Sequence, residues 1–339
     1  MQIKLDASLK AYNTFGLNVT AKYLAEVHST DEIKQILNSP EAKDIAIIPL
    51  GGGSNVLLTK NLDALVVLNK IEGITLEKED DEYYYVTAGS GVGWHEFVLH
   101  CIHKGWGGVE NLSLIPGSVG AAPMQNIGAY GVELKDVFWF AEAMELSTQL
   151  TLKFKKDDCH FGYRTSIFKT RLKNQTIITK VGFKLNKEHK VNTNYGAIND
   201  ELVRMGINDP SISDISQAVI KIRQSKLPDP AKIGNSGSFF KNPLVDMVLF
   251  EELKSRYPEI PSYQVDDEKV KVPAGWLIES AGWKGTTVGN RYGVHENQAL
   301  VLVNYGGATG EDIYELSELI IDDIIAKYGI HLEREVNIY

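Results

Sequence analysis

Glycine is concentrated in one quarter of this chain. Of the 30 glycines in 339 residues, 14 lie in residues 51–131, where an even distribution would place about 7. Because glycine has no Cβ, it adopts positive φ angles and lets another backbone or a ligand approach closely. The segment 51–131 is therefore predicted to bring its backbone close to another backbone or to a ligand.

Short apolar segments alternate with helical patterns, which predicts a mixed α/β protein. A strand at 23–28 precedes a helix that ends near Leu37, for which Ser29, Thr30 and Asp31 are candidate N-caps. Strands at 45–49 and 64–68 complete a βαβ-like unit with a parallel pair. The other predicted strands are 74–76 and 83–87 (a hairpin flanking the acidic stretch 77–82), 138–146, 151–154, 177–185, 301–304 and 335–339. The other predicted helices are 92–103, 212–225, 248–256, 274–280 and 312–327, the last with a core-facing stripe.

Composition argues against several classes of protein. The chain has 35 basic and 44 acidic residues, a net charge of −9, whereas nucleic-acid binding depends on Lys and Arg. Two cysteines cannot form a disulfide framework. The apolar runs fall short of the roughly 20 residues that cross a bilayer, and no signal peptide is evident. We therefore expect a cytoplasmic protein without nucleic-acid or membrane partners.

Several familiar motifs are absent. Residues 89–93, Gly-Ser-Gly-Val-Gly, lack the third glycine of a dinucleotide-binding fingerprint, and the sequence has no P-loop and no Gly-x-Ser-x-Gly motif. His95 and His100 are five residues apart, so a helix places them on different faces and they do not form a zinc motif. Cys101 is interpreted as a core thiol and Cys159 as a bystander. No metal site is predicted.

Two glycine-rich segments are candidate binding loops. Residues 51–55, Gly-Gly-Gly-Ser-Asn, follow an apolar strand, and successive glycine amides can form a nest of N–H donors for an anion. Residues 115–131 are small and weakly charged, which suits a planar heterocycle whose edge Gln125 and Asn126 could contact. The alternatives are a tight turn between strands and a structural loop.

Three further segments place polar residues in unusual settings. Arg164 lies among aromatic residues, where its planar fork suits a carboxylate or phosphate, although a structural ion pair is an equal alternative. Residues 234–243 place Ser238 in a glycine-rich turn, where a serine is most often a cap. Glu333 and Glu335 point to the same face if they lie on a strand. Alone, they are more simply an exposed charge pair.

Together these segments closely resemble one family, the UDP-N-acetylenolpyruvoylglucosamine reductases, also called UDP-N-acetylmuramate dehydrogenases. The resemblance runs from Asn13 to Glu335, and it is strongest in five segments that occur in the family's order: 50–55, 115–131, 162–168, 226–230 and 234–243. It implies an FAD-binding fold of the vanillyl-alcohol-oxidase (PCMH) type, of mixed α/β or α+β class, with a C-terminal substrate-binding domain.

The family's organisation implies three parts. Residues 1–69, with the terminal strand 333–339, would form the first FAD-binding subdomain, residues 70–226 the second, and residues 227–332 the substrate-binding domain. The rigid segment Leu227-Pro228-Asp229-Pro230 lies at the last of these boundaries.

The resemblance implies that the glycine-dense segments hold FAD. We expect a non-covalent complex, because neither loop contains the histidine to which some relatives attach flavin. Residues 51–55 would bind the pyrophosphate, and residues 116–131 would line the rest of the cofactor. The cofactor-binding residues implied in this way are Gly51, Gly52, Gly53, Ser54, Asn55, Pro116, Gly117, Ser118, Gly120, Ala121, Asn126, Gly128 and Ala129.

The reaction implied by the family has two halves. NADPH reduces FAD and leaves, and the vinyl carbon of UDP-N-acetylglucosamine enolpyruvate then accepts hydride to give UDP-N-acetylmuramate, a precursor of the peptidoglycan on which cell shape and division depend. Arg164 would pair with the enolpyruvyl carboxylate, Glu335 would polarise that group, and Ser238 would donate the proton. Lys241 and Asn242 are candidates for orienting Ser238.

The substrate-pocket residues implied by the resemblance are Tyr130, Tyr163, Tyr195, Lys226, Asn242 and Gln298. Tyr195 matches a tyrosine loop found in one of the family's two classes, and Lys226 matches a lysine near the substrate pyrophosphate. Thr165 and Arg334 depart from the family's motifs without replacing a reacting group. We expect a monomer that binds small molecules only.

Two alternative functions stay open on the sequence alone. One is another flavin-dependent sugar or alcohol oxidase of the same superfamily, which oxygen uptake with simple sugars would favour. The other is a non-catalytic UDP-sugar-binding protein, which a colourless preparation without flavin would support.

Overall fold

The computed structural model describes residues 2–189, 191–193 and 195–339. The strands are β1 Ile3–Ser8, β2 Thr20–Val27, β3 Ala46–Leu50, β4 Val56–Leu57, β5 Leu62–Asn69, β6 Ile74–Glu79, β7 Tyr83–Gly89, β8 Gly128–Ala129, β9 Val132–Glu133, β10 Phe138–Glu145, β11 Thr151–Lys155, β12 Thr176–Asn186, β13 Gly234–Ser238, β14 Leu244–Asp246, β15 Tyr263–Gln264, β16 Lys269–Lys271, β17 Thr287–Val288, β18 Tyr292–Val294, β19 Val301–Asn304 and β20 Asn337–Ile338. The α-helices are α1 Thr30–Leu37, α2 Trp94–His103, α3 Leu134–Val137, α4 Gly196–Met205, α5 Ile212–Lys226, α6 Met247–Arg256, α7 Ala274–Ser280 and α8 Gly310–Tyr328.

The chain forms two compact units. The first consists of the residues up to Ala7 together with Thr20–Gly53 and Leu62–Ser225. The second consists of Ser8–Val19, Ser54–Asn61 and Lys226–Tyr339. The division into three parts that the family implies stays a prediction.

A four-stranded sheet in the order β1-β2-β5-β3 opens the first unit. Both β2 and β3 run parallel to β5, so the predicted parallel strands are confirmed. The predicted helix cap is confirmed as well, because the Ser29 hydroxyl accepts a hydrogen bond from the backbone N–H of Glu32. Ile33 and Ile36 of α1 are fully buried in the core with Leu65 of β5, which holds the helix on the sheet.

The rest of the first unit is built on an antiparallel sheet in the order β11-β10-β12-β7-β6. Helix α2 packs on it, with the rings of Phe97 and Phe183 only 4.3 Å apart between centroids. The predicted hairpin is present, but β6 continues through Glu79. Glu79 pairs with Tyr84 of β7, and Glu77 lies at a register shift between the two strands. The acidic side chains can stay in water here because β6 is exposed from Thr75 to Glu79. The turn itself is confined to residues 80–82.

The second unit contains a four-stranded sheet in the order β13-β19-β18-β17 and a three-stranded sheet in the order β14-β16-β15. Helices α6, α7 and α8 contribute to its apolar core. The predicted stripe on the last helix is confirmed, since Ile313, Leu316, Ile320 and Ile324 are all buried. A capping box between Thr309 and Asp312 fixes the start of α8.

Two sequence-based expectations about this unit are wrong. Residues 234–238 form strand β13 instead of a turn, because they pair with β19. The terminal strand is shorter than predicted: only Asn337 and Ile338 pair, in parallel with β4, and Glu335 precedes them.

Helix α4, in the first unit, is an element that the sequence does not predict. Among the described residues, no helix is both long and apolar enough to cross a membrane.

Candidate active site

The first glycine-rich loop follows β3 and packs against the second. A Cβ placed on Gly51 would lie 2.5 Å from the Ser118 Oγ, and one on Gly52 would lie 3.0 Å from the Gly117 Cα. Gly53 has a φ of 62°. The structure therefore brings the two predicted loops together, and their approach is closer than larger residues would allow.

The second loop rests on the segment 89–93, whose glycines resembled a dinucleotide-binding motif. The N–H of Gly120 donates to the carbonyl of Ser90 at 2.9 Å, and a Cβ on Gly120 would lie 2.5 Å from the Ser90 Cβ. The N–H of Val119 donates to the carbonyl of Val92 at 2.8 Å. Ser90 and Val92 thus support the loop at 117–120, while Gly89 and Gly91 lie against the backbone of residues 70–72, closer than a side chain would allow. This packing accounts for these two glycines without a dinucleotide-binding role.

Asn126 is fully buried and acts as a structural junction. Its Nδ2 donates to Glu133 Oε2 at 3.0 Å and to the Gly162 carbonyl at 3.2 Å, while its Oδ1 accepts from the N–H of Lys135 at 3.0 Å. Both amide hydrogens are used inside the protein. Any contact with a cofactor therefore falls to its backbone or to the second lone pair of Oδ1.

Arg164 lies in a tight turn in which Gly162 and Thr165 pair across a single bridge. Its own φ is 54°, a left-handed conformation that is costly for an arginine and is common at functional sites. The guanidinium Nη2 donates to the Gly128 carbonyl at 2.8 Å, and the group lies 5.4 Å from the centre of the Tyr163 ring. Arg164 and Tyr163 are therefore brought to the end of the second glycine-rich loop.

Arg223 on α5 is a site residue that the sequence did not indicate. Burial lowers the pKa of its guanidinium, and the charge of Arg164 adds to that effect. The Tyr130 hydroxyl lies near its guanidinium, and its buried Nε has no partner among the described residues. A buried cation without a carboxylate partner is costly and favours an anionic ligand. In the sequence Arg223 is one of three basic residues on this helix, with Lys221 and Lys226, so no local signal marks it.

His95 lies beside this cationic region. Burial lowers its pKa, and the nearby charge of Arg223 lowers it further. Its Nδ1 accepts a hydrogen bond from the N–H of Leu114 at 2.9 Å. Leu114 itself has a φ of 58°, next to the second loop. His95, which does not belong to a zinc motif, thus holds the left-handed Leu114 in place at the start of the second glycine-rich loop.

Tyr130 and Tyr195 are in direct contact, with ring centroids 5.3 Å apart and planes at 85°. Burial raises the pKa of Tyr130, whereas Tyr195 is exposed at the N-terminus of α4. Lys226 is exposed at the end of α5. The structure therefore brings the two tyrosines together in the first unit.

In the second unit, backbone pairing brings Glu335 to the end of β13. The N–H of Glu335 donates to the carbonyl of Phe239 at 2.8 Å, one residue after Ser238. A bulge at Gly237, whose φ is 70°, changes the direction of the strand before Ser238. Ser238 is half-buried and Glu335 is buried. Asn55 lies here too, because its Nδ2 donates to the Glu335 carbonyl at 3.4 Å.

Lys241 and Asn242 are anchored by other groups. The Lys241 ammonium pairs with the carboxylate of Glu333, whose side chain is largely exposed. The Asn242 Oδ1 accepts from the N–H of Ala274 at 3.0 Å, at the start of α7. The contacts described for both side chains thus hold the backbone around Ser238, and that they orient its hydroxyl stays a prediction.

Gln298 is half-buried, and its Oε1 accepts from the N–H of Leu300 at 3.4 Å, next to β19. Among the described residues, no group of three or more His, Cys, Asp or Glu side chains is arranged to hold a metal ion.

Comparison with known proteins identifies relatives over the whole chain. A family model described as the UDP-N-acetylenolpyruvoylglucosamine reductase C-terminal domain matches residues 229–339, and one described as an FAD binding domain matches residues 21–148. A UDP-N-acetylenolpyruvoylglucosamine reductase of Flavobacterium johnsoniae is 52% identical over 100% of both chains. One of Amoebophilus asiaticus is 48% identical over 100% of this chain and 99% of its own.

A solved structure of a UDP-N-acetylenolpyruvylglucosamine reductase from Thermus caldophilus superposes with a TM-score of 0.67. It is 23% identical and covers 100% of this chain and 98% of its own. The predicted fold, an FAD-binding domain followed by a C-terminal domain of this type, is confirmed.

Proposed function

The chain belongs to the UDP-N-acetylenolpyruvoylglucosamine reductases, and we propose that Arg164, Ser238 and Glu335 are its catalytic residues. The protein is a flavoenzyme, UDP-N-acetylmuramate dehydrogenase, which uses FAD and NADPH in the synthesis of a peptidoglycan precursor. The observation that carries the residue assignment is the backbone pairing in the second unit, which holds the buried Glu335 beside Ser238.

The first unit offers features that fit FAD. Gly52 is exposed where the first glycine-rich loop approaches residues 117–118, and we propose that backbone N–H groups of this loop bind the pyrophosphate. The buried Nε of Arg223, which has no partner within the described ranges, offers a positive charge to an electron-rich ring or an anion. Bound FAD supplies the hydride for the substrate. The residues proposed to hold it non-covalently are Gly51, Gly52, Gly53, Ser54, Asn55, Pro116, Gly117, Ser118, Gly120, Ala121, Asn126, Gly128 and Ala129.

Arg164 is suited to the carboxylate of the enolpyruvyl group. One nitrogen of its guanidinium donates to the Gly128 carbonyl, which helps to fix the plane of the fork that would bind the carboxylate. When hydride reaches the vinyl carbon, negative charge develops on the adjacent carbon and on its carboxylate. A fixed guanidinium stabilises that charge, an effect typically worth about 3 kcal/mol.

Ser238 is proposed to protonate the carbon that becomes negative. A hydroxyl is a weak acid, so this step needs a strongly basic acceptor within hydrogen-bond reach. The bulge at Gly237 gives Ser238 a fixed direction at the end of β13. Glu335, buried and held by the Phe239 carbonyl, is placed to polarise the enolpyruvyl group as the charge moves.

The UDP-sugar is proposed to contact Tyr130, Tyr163, Tyr195, Lys226, Asn242 and Gln298. Support comes from the paired rings of Tyr130 and Tyr195 and from the exposed ammonium of Lys226, which suits a pyrophosphate. Tyr195 would then place the protein in the class with a tyrosine substrate loop. We also propose that the enzyme is a cytoplasmic monomer that acts on small molecules.

The proposal is tested by following flavin absorbance without oxygen, first after NADPH and then after the enolpyruvyl UDP-sugar. In Ser238→Ala, bleaching by NADPH should keep its rate, and recovery with the UDP-sugar should slow by about 10²–10⁴-fold, the usual contribution of a general acid. Ser236→Ala is the matched control, because the Ser236 Oγ is buried on the same strand and has no partner among the described residues. Equal slowing of both half-reactions in Ser238→Ala would contradict the proton-donor role.

A further inference from the structure

Asn111 is a buried asparagine with no part in the site described above. It lies in the short 3-10 turn Glu110–Leu112 and is 1% exposed. Its Nδ2 donates to the carbonyl of Tyr130 at 3.0 Å and to the carbonyl of Asn192 at 3.0 Å. A flipped amide would set Oδ1 against two carbonyl oxygens, so this orientation is fixed. One side chain therefore joins two segments far apart in the sequence.

The two joined segments both lead to the paired tyrosines. The Asn192 Nδ2 donates to the carbonyl of Gly131 at 3.3 Å, which adds a second amide link between them. Val191 and Tyr130 pack against the same apolar cluster, which includes Ile198 of α4. The position of residues 191–193 relative to Tyr130 thus depends on two asparagine side chains and a small apolar contact.

The turn that carries Asn111 is itself well anchored. The hydroxyls of Ser113 and Ser216 are hydrogen-bonded at 2.8 Å, which ties the turn to α5. The Glu110 Oε2 accepts from the N–H of Gly108 at 2.6 Å. By contrast, the Asn111 Oδ1 has no partner within the described ranges. The described hydrogen bonds of this amide therefore serve only the two carbonyls it joins.

We propose that Asn111 is a positioning residue that latches residues 191–193 to the loop that carries Tyr130. The latch fixes the distance between the two tyrosine rings, and so the shape of the surface that receives the UDP-sugar. The inference rests on the substrate contacts proposed above for these tyrosines. Because the latch touches neither the glycine loops nor Ser238, its loss should weaken UDP-sugar binding and spare the cofactor.

The test replaces Asn111 by leucine, which is similar in size and cannot donate. We expect KM for the enolpyruvyl UDP-sugar to rise about tenfold, while the FAD content and the rate of bleaching by NADPH stay within twofold of wild type. Amide hydrogen exchange should become faster in residues 191–205. Asn192→Ala, a milder change at a half-buried residue, should move both readouts in the same direction.

Asn13→Leu is the matched control, because the Asn13 Nδ2 also donates to two carbonyls, those of Leu9 and Leu17, in the second unit. It should lower stability without changing exchange in 191–205. The decisive measurement is the effect of Asn111→Leu in a Tyr195→Ala background, where KM should not rise further. An equal rise in KM in both backgrounds would mean that Asn111 acts independently of Tyr195, whereas a simple loss of folding would lower the maximal rate and leave KM unchanged.

Unchanged exchange in Asn111→Leu would overturn the latch, as would an equal rise in KM with and without Tyr195. If exchange becomes faster but neither Asn111→Leu nor Tyr195→Ala changes KM, the substrate role of Tyr195 is refuted and the positioning role with it. The reductase assignment fails separately, and only if the wild-type enzyme does not turn over the enolpyruvyl UDP-sugar.

Discussion

Gly52→Ala tests whether close contact between the two glycine-rich loops creates the cofactor site. The added Cβ would lie 3.0 Å from the Gly117 Cα and 3.4 Å from its carbonyl carbon. Ordinary contact begins at 3.4 Å, so one loop must move by about 0.4 Å. Since Gly52 has no positive φ, the backbone itself tolerates alanine, and the effect isolates the approach of the loops.

The expected magnitude follows from the cost of overpacking. Forcing an extra methyl into a close contact typically costs about 1–3 kcal/mol. If the loops adopt their close arrangement to hold FAD, this cost appears in binding and weakens FAD affinity by about 5- to 150-fold. The assay titrates FAD into flavin-depleted protein and follows the quenching of flavin fluorescence.

The matched control is Gly196→Ala, at the first residue of α4, where a Cβ meets nothing within 4 Å. Alanine favours a helix, so this variant should bind FAD like the wild type and be at least as stable. Unchanged FAD affinity in Gly52→Ala would refute the assignment of the loop to the cofactor. A drop in melting temperature with unchanged affinity would make the contact purely structural.

Two further outcomes are expected. Arg164→Lys should keep FAD content but slow flavin recovery with the UDP-sugar by about 10- to 100-fold, because an ammonium cannot form the bidentate pair, and near-normal turnover would exclude a carboxylate-binding role. Burial raises the pKa of Cys159 to about 12 and that of Cys101 well above its ordinary value, so at pH 8 both thiols should react with iodoacetamide only after denaturation. Rapid alkylation of the native enzyme would contradict their burial.

Much of the fold could be predicted because its elements have strong local signals. Ser29 and the apolar spacing in 30–37 specify a capped helix, and α8 shows its buried stripe in the sequence. The errors occur where tertiary pairing overrides composition. Residues 234–238 have the glycine and serine content of a turn, yet they become β13 because β19 offers its edge.

The end of the chain shows the same limit. Glu335 was expected on a strand with Glu333, but it precedes β20 and is held by the carbonyl of Phe239. This difference separates the two carboxylates, since Glu333 pairs with Lys241 at the surface while Glu335 is buried. The alternation of side chains along a strand could not tell the buried Glu335 from the exposed Glu333. Their burial depends on pairing with Phe239 and Lys241, which lie almost a hundred residues earlier in the chain.

Asn126 and Asn111 show why a sequence motif predicts the position of a binding loop better than it predicts which polar side chain contacts the ligand. Asn126 lies in the most cofactor-like segment, yet both of its amide hydrogens bind groups of the protein, at Glu133 and at Gly162. Asn111 lies outside every glycine-rich motif, yet it joins the backbone of Tyr130 to that of Asn192. In each case the partner comes from a distant part of the chain. An asparagine is equally able to bind backbone or ligand, so only the folded structure decides which it does.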